Sequence, residues 1–68
     1  MDKQPRRFLR LVEVKWQVGL GRSAIYKKIK AGQFPGPYAL SETGRAKGWL
    51  STEIDAYIEA RLQARSAR

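Results

Sequence analysis

Apolar residues recur along this chain in three helical stripes, each interrupted by glycine, serine or proline. Leu11, Val14 and Val18 fall at i, i+3 and i+7, the spacing that collects side chains on one face of an α-helix, so a first helix is predicted over 12–18. Gly19 stops it at a position where glycine takes a left-handed conformation without a Cβ clash, and Leu20 plugs the turn. Ile25 and Ile29 form an inner i, i+4 pair on a second helix over 22–31, closed by Gly32 with Pro35 just beyond. Either Gly21 or Ser23 is its N-cap; Gly21 is preferred because it places a full turn before the isoleucine pair. Ile54, Tyr57, Ile58 and Leu62 repeat at i, i+3, i+4 and i+8, predicting a third helix over 52–65 with Ser51 or Thr52 as alternative caps. Glu53 and Asp55 in its first turn and Arg61 and Arg65 late in it suit the helix dipole.

Between the second and third helices the pattern changes. Phe34-Pro35-Gly36-Pro37 cannot be helix or central strand. Tyr38-Ala39-Leu40 and Ala46-Lys47-Gly48-Trp49 are short β-like pieces around the turn-rich Ser41–Arg45, which predicts a β-hairpin over 38–49. Phe8–Leu11 is either a strand fragment or the approach to the first helix. Residues 1–7 read as a flexible basic arm in which Lys3, Arg6 and Arg7 either follow phosphates or are solvated, and residues 66–68 as a fraying tail. With no repeat or linker, residues 1–68 form one domain, mostly α with a small β-hairpin: a winged helix-turn-helix of three helices plus a two-stranded wing.

A domain of this size buries only about 60% of the surface its unfolded chain exposes. Without cysteine no disulfide or thiolate-metal site supplements that core. The core therefore needs its aromatic area, and Trp49, Phe34 and Tyr57 are assigned to it rather than to base stacking. Trp16 lies off the Leu11–Val14–Val18 stripe and is either a core-edge or a partner-contact residue; the core edge is the preferred assignment.

Charge sharpens the picture. Fourteen basic and six acidic residues give a net charge of +8, which points to a polyanionic partner. Its placement says more than its size. Between Gly19 and Leu50 stand Arg22, Lys27, Lys28, Lys30, Arg45 and Lys47 against the single acid Glu42, whereas Ser51–Leu62 carries Glu53, Asp55 and Glu59 against Arg61. Positive charge is thus concentrated on the second helix and the hairpin, the distribution of a nucleic-acid binder. Basic residues in MDKQPRRF precede no apolar run, and no segment approaches the ~18 residues of a membrane span, so neither secretion nor a membrane partner is expected. Absence of cysteine fits a reducing cytoplasm. Enzyme chemistry has little support: there is no histidine or cysteine, Asp55 and Glu59 are a solvated pair, and Gly19-Leu20-Gly21 lacks the rest of any phosphate-loop fingerprint. No cofactor or metal is expected.

The candidate contacts follow. Arg22, at the N-terminal end of the second helix, is placed either to read guanine bidentately or to meet a phosphate. Ser23 and Tyr26 offer hydroxyls, and Lys27 and Lys30 are phosphate contacts. Arg45 and Lys47 are the wing's contribution to the flanking backbone or minor groove.

The joint pattern of RLVEV, GLGRSAIYKKIKAGQFPGP and GRAKGWLSTEIDAYI resembles the AlpA family of phage and prophage regulators, small relatives of MerR-type DNA-binding domains and of phage excisionases. The resemblance spans roughly residues 9–62 and implies double-stranded DNA as partner, in a bacterial cytoplasm at the nucleoid. It further implies transcriptional regulation or control of excision. Further expected partners are a neighbouring copy bound cooperatively on DNA and an integrase, recombinase or regulator protein. Two features depart from the family: Gly21 stands where a serine is usual, and the wing tip is about two residues longer than is common.

Overall fold

Arg10 is the pivot between two kinds of backbone. In the computed structural model, which describes residues 6–66, strand β1 (Phe8–Leu9) ends there and helix α1 (Leu11–Val18) begins. Arg10 itself is extended, and its carbonyl accepts from the backbone N–H groups of Glu13 and Val14, both at 3.0 Å. The helix thus starts one residue earlier than the apolar period predicts. Gly19 ends it at φ 72°, with its N–H on the Lys15 carbonyl at 2.9 Å.

Helix α2 (Arg22–Lys30) opens from Gly21, which is extended (φ −80°, ψ 171°) and receives the Ile25 N–H at 3.0 Å. Ser23 therefore lies inside the first turn and is not the cap. Among the described residues no side chain caps this helix. Strands β2 (Tyr38–Ala39) and β3 (Lys47–Leu50) form the hairpin, extended by the Leu40 N–H on the Ala46 carbonyl at 2.7 Å and closed by the Gly44 N–H on the Ser41 carbonyl at 3.1 Å. Helix α3 (Ser51–Ser66) follows β3 without a break.

The sheet differs from the two-stranded wing expected from sequence. It has three antiparallel strands in the order β1-β3-β2, with Phe8 opposite Leu50, Leu9 opposite Trp49, Tyr38 opposite Gly48 and Ala39 opposite Lys47. The physical reason is that Phe8–Leu9 has a partner edge only once the hairpin exists. The Arg7 N–H donates to the Ser51 hydroxyl at 3.0 Å and the Ser51 N–H to the Arg7 carbonyl at 2.8 Å, so Ser51 fastens the N-terminal strand instead of simply capping α3. Of the arm predicted over 1–7, residues 1–5 lie outside the described residues, as do 67–68 of the predicted tail.

Strand alternation places Leu9 and Trp49 against the helices and Phe8, Gly48 and Leu50 on the other face. A Cβ on Gly48 would come within 3.0 Å of the Phe8 Cβ and 3.1 Å of a Leu40 methyl, so only glycine fits there undisturbed. Leu9, Val14, Ile25, Phe34, Trp49 and Ile54 form the buried core, with Leu11, Val18, Leu20, Ile29, Tyr57 and Ile58 packed around it. Phe34 meets Tyr57 edge to face at 4.6 Å, and the Trp49 indole N–H donates to the Pro35 carbonyl at 3.0 Å. These contacts agree with the core assignment of all three aromatics.

Two apolar residues do not follow their expected places. Trp16 is 81% exposed, not at the core edge: at about 100° per residue it lies about 200° round α1 from the fully buried Val14. Leu62 is 56% exposed, within a run of exposed positions over 59–65 of α3.

Candidate nucleic-acid interface

Helix α2 distributes its side chains by the ordinary helical period. With Ile25 buried and Ile29 packed against the core, Arg22 and Tyr26, four residues apart, share one flank, while Ser23, Lys27 and Lys30 take the outward arc. Arg22, Ser23, Tyr26, Lys27 and Lys30 are all exposed, and Lys28 is half-buried beside them. The helix has no acidic residue in its first turn and three lysines, Lys27, Lys28 and Lys30, in its last.

The hairpin brings its charge to the same side by alternation. Lys47 stands two residues before Trp49 on β3 and so faces the same way. Trp49 in turn meets Tyr26 edge to face, with ring centroids 6.2 Å apart and planes at 66°. The Arg22 guanidinium lies 5.8 Å from the centre of the Tyr26 ring, a cation–π contact that orients it along the helix flank. The outcome is an open cleft of about 440 Å³ between the start of α2 and the hairpin. Arg22, Tyr26, Arg45 and Lys47 all line it, with Arg10, Leu11, Val12 and Trp49 completing the walls.

Of the seven residues predicted from sequence, four therefore meet in one place. The other three, Ser23, Lys27 and Lys30, stand outside the cleft on the exposed arc of the same helix, and Lys27 and Lys28 border a second, smaller groove with Ala24, Ala31 and Gln33. Arg10 was not singled out by the sequence pattern. Its place in the cleft depends on β1 pairing with β3, and no local periodicity encodes that contact.

Electrostatically the cleft is one-signed: among the described residues no acid lines it. Among the described residues the ion pair is elsewhere, between Arg7 and Glu13 at 2.8 Å. The hydrogen bond to Glu13 and its negative charge hold the Arg7 guanidinium above its already high ordinary pKa. On the opposite sheet face the Tyr38 hydroxyl donates to Glu53 at 2.8 Å, and that bond, reinforced by the carboxylate charge, raises the Tyr38 pKa. Among the described residues no cluster of histidine, cysteine, aspartate or glutamate is arranged to hold a metal ion, and no helix is long and apolar enough to cross a membrane.

Fold and surface together define a small, mostly helical, strongly basic protein with one cationic face built jointly by a helix and a hairpin. Residues 7–62 match the family described as prophage CP4-57 regulatory protein (AlpA), and the chain belongs to that family of prophage regulators. It is also 39% identical over 64 residues to a protein of Enterobacteria phage P4 described as uncharacterized protein ORF88, an alignment covering 94% of this chain and 70% of that protein. The family match runs from the residue that fastens β1 to the last apolar residue of the α3 stripe, so it contains the whole cleft.

Proposed function

We propose that this chain is a sequence-specific double-stranded DNA-binding transcriptional regulator of phage or prophage type, acting as a winged helix-turn-helix of MerR-like design. Helix α2 enters the major groove, and the hairpin over 38–49 lies on the flanking backbone. The observation that carries this reading is the shared cleft: Arg22 and Tyr26 of the helix converge with Arg45 and Lys47 of the hairpin, with no acid between them among the described residues. A helix and a hairpin that present cations to one concave surface suit a duplex, whose phosphates follow a groove.

In this reading Arg22 contacts guanine or phosphate at the start of α2, and Ser23 and Tyr26 add hydroxyl contacts. Lys27 and Lys30 meet phosphates, and Arg45 and Lys47 hold the backbone beside the groove. The role is one of binding, without catalysis, cofactor or metal, in the bacterial cytoplasm at the nucleoid. A single module of this size buries roughly 600–1,000 Å² on DNA, which limits affinity and favours cooperative copies or a second protein on the site.

A second reading, an excision factor or adaptor that acts on a recombinase or regulator, draws on a separate observation: Trp16 on α1 is 81% exposed, and Asp55 and Glu59 stand exposed on the outer face of α3. Selection of bound sites from random and genomic DNA tests both. Enrichment of one motif at promoters supports regulation, enrichment at attachment regions supports excision, and no enrichment at all contradicts DNA recognition.

A further inference from the structure

We infer that Arg10 is a DNA-backbone contact, and that the cleft it shares with Arg22, Arg45 and Lys47 grips one short phosphodiester segment from both sides. The inference rests on the DNA-binding reading above and adds to it a residue and a geometry that the reading does not require. Four cationic side chains line the cleft, and none of them has an ion-pair or hydrogen-bond partner among the described residues. Like charges gathered in one concave site repel each other, and low-dielectric walls focus their field. Tyr26, Trp49, Leu11 and Val12 supply such walls. An anion entering the cleft relieves that repulsion, and no acidic side chain among the described residues lines the cleft to compete for it.

The shape favours a chain over a free ion. The cleft is open and about 440 Å³ in volume, with cations on the α2 side (Arg22), the hairpin side (Arg45, Lys47) and the β1–α1 junction (Arg10). A strand passing between α2 and the hairpin is then held by groups from three elements at once. Arg10 suits this role because its structural duties are met by its backbone: its carbonyl accepts the first helical N–H groups, and its side chain makes no capping bond. The side chain is exposed.

The test uses the full chain and a short duplex carrying the selected site, alongside a scrambled duplex, with wild type, Arg10→Ala, Arg10→Lys, Arg45→Ala and the Arg10→Ala/Arg45→Ala double variant. Expected for Arg10→Ala is a loss of affinity of roughly three- to tenfold, about equal on both duplexes, with unchanged thermal unfolding and substantial recovery in Arg10→Lys. The double variant is expected to lose less than the product of the two single losses, because both cations act on the same backbone segment. Inorganic phosphate, titrated against wild type, is expected to bind far more weakly than duplex. Wild-type affinity in Arg10→Ala while Arg22→Ala fails would overturn the inference and leave the DNA-binding reading standing. Strictly multiplicative losses would overturn the shared grip, and phosphate binding that needs Arg10 while duplex binding ignores it would overturn the phosphodiester assignment. If wild type binds no duplex under any low-salt condition, the underlying reading fails and this inference with it.

Discussion

Tyr26 and Trp49 meet edge to face, with ring centroids 6.2 Å apart, and this contact ties the flank of α2 to the strand that carries the hairpin's charge. Trp49 is 1% exposed and is held by the Pro35 carbonyl, whereas Tyr26 is 40% exposed and reaches toward the cleft. One ring is anchor and the other is surface, so the two are expected to separate on mutation. Trp49→Ala is predicted to cost about 3–5 kcal/mol, a large part of what so small a domain possesses. Tyr26→Ala is predicted to cost about 0.5–1.5 kcal/mol of stability from the lost ring contact and also to weaken duplex binding. Tyr26→Phe keeps the ring and should keep the stability, so any affinity it loses belongs to the hydroxyl. Urea unfolding and a binding titration on the same samples check all three.

Trp16 offers an independent check. At 81% exposure it has little packing to lose, and Trp16→Ala is predicted to change stability by no more than about 0.5 kcal/mol. The remaining indole in that variant, Trp49, should emit at shorter wavelength and resist an aqueous quencher, while Trp16 should account for the quenchable emission of wild type. A large loss of stability in Trp16→Ala would place this side chain in the core after all.

Most of the helical scaffold was legible in the sequence because helices encode themselves locally. The Leu11–Val14–Val18 and Ile25–Ile29 spacings, with Gly19 and Gly32 between and after them, specify α1, the turn and α2 to within a residue. Long-range pairing was not legible. Phe8–Leu9 is two residues long, too short for any period, and it becomes a strand only by meeting Trp49 and Leu50, about 40 positions further along the chain. The same gap hid the use of the Ser51 hydroxyl by Arg7, 44 positions away, and the arrival of Arg10 in the cleft. Trp16 departs from its expected place for a different reason: its angular position on α1 points outward, and that outweighs the preference of a large apolar residue in a small chain for burial. Within the cationic surface, charge segregation singled out α2 and the hairpin, the two elements that share the cleft, while the division between cleft residues and the outward arc of α2 needed the hairpin's position.

Gly21 starts α2 without a side-chain cap, in an extended conformation that serine readily adopts and with open space around a Cβ. Gly21→Ser is therefore predicted to stabilise the protein by about 0.5 kcal/mol through a new hydroxyl bond to the first turn and a less flexible unfolded chain. Gly19 has the opposite expectation. At φ 72° an alanine would be strained whatever the space, so Gly19→Ala should destabilise by about 1–2 kcal/mol. Thermal unfolding of the pair should move the midpoint in opposite directions.

The Tyr38–Glu53 hydrogen bond predicts a pH effect at the alkaline end. Because the folded-state pKa of Tyr38 is raised, its contribution is fully present below the unfolded value of about 10 and is lost as pH rises through the raised folded value. Ultraviolet titration should show the Tyr38 phenol ionising above the ordinary tyrosine range. Glu53→Gln should return it toward that range, and a titration curve left unchanged by Glu53→Gln would contradict the assignment.

The central claim is that the face built by α2 and the hairpin binds duplex DNA. Its most direct test is the affinity for a selected duplex between about 50 and 200 mM salt, the range over which phosphate contacts are read out. Affinity is predicted to fall steeply and linearly on logarithmic axes, with a slope of several units. Lys27→Ala should reduce the slope by about one unit and weaken all sequences alike, and Arg22→Ala should lose affinity while remaining folded. Binding that is flat across this salt range, or unchanged by loss of Arg22 and Lys27, would contradict the claim.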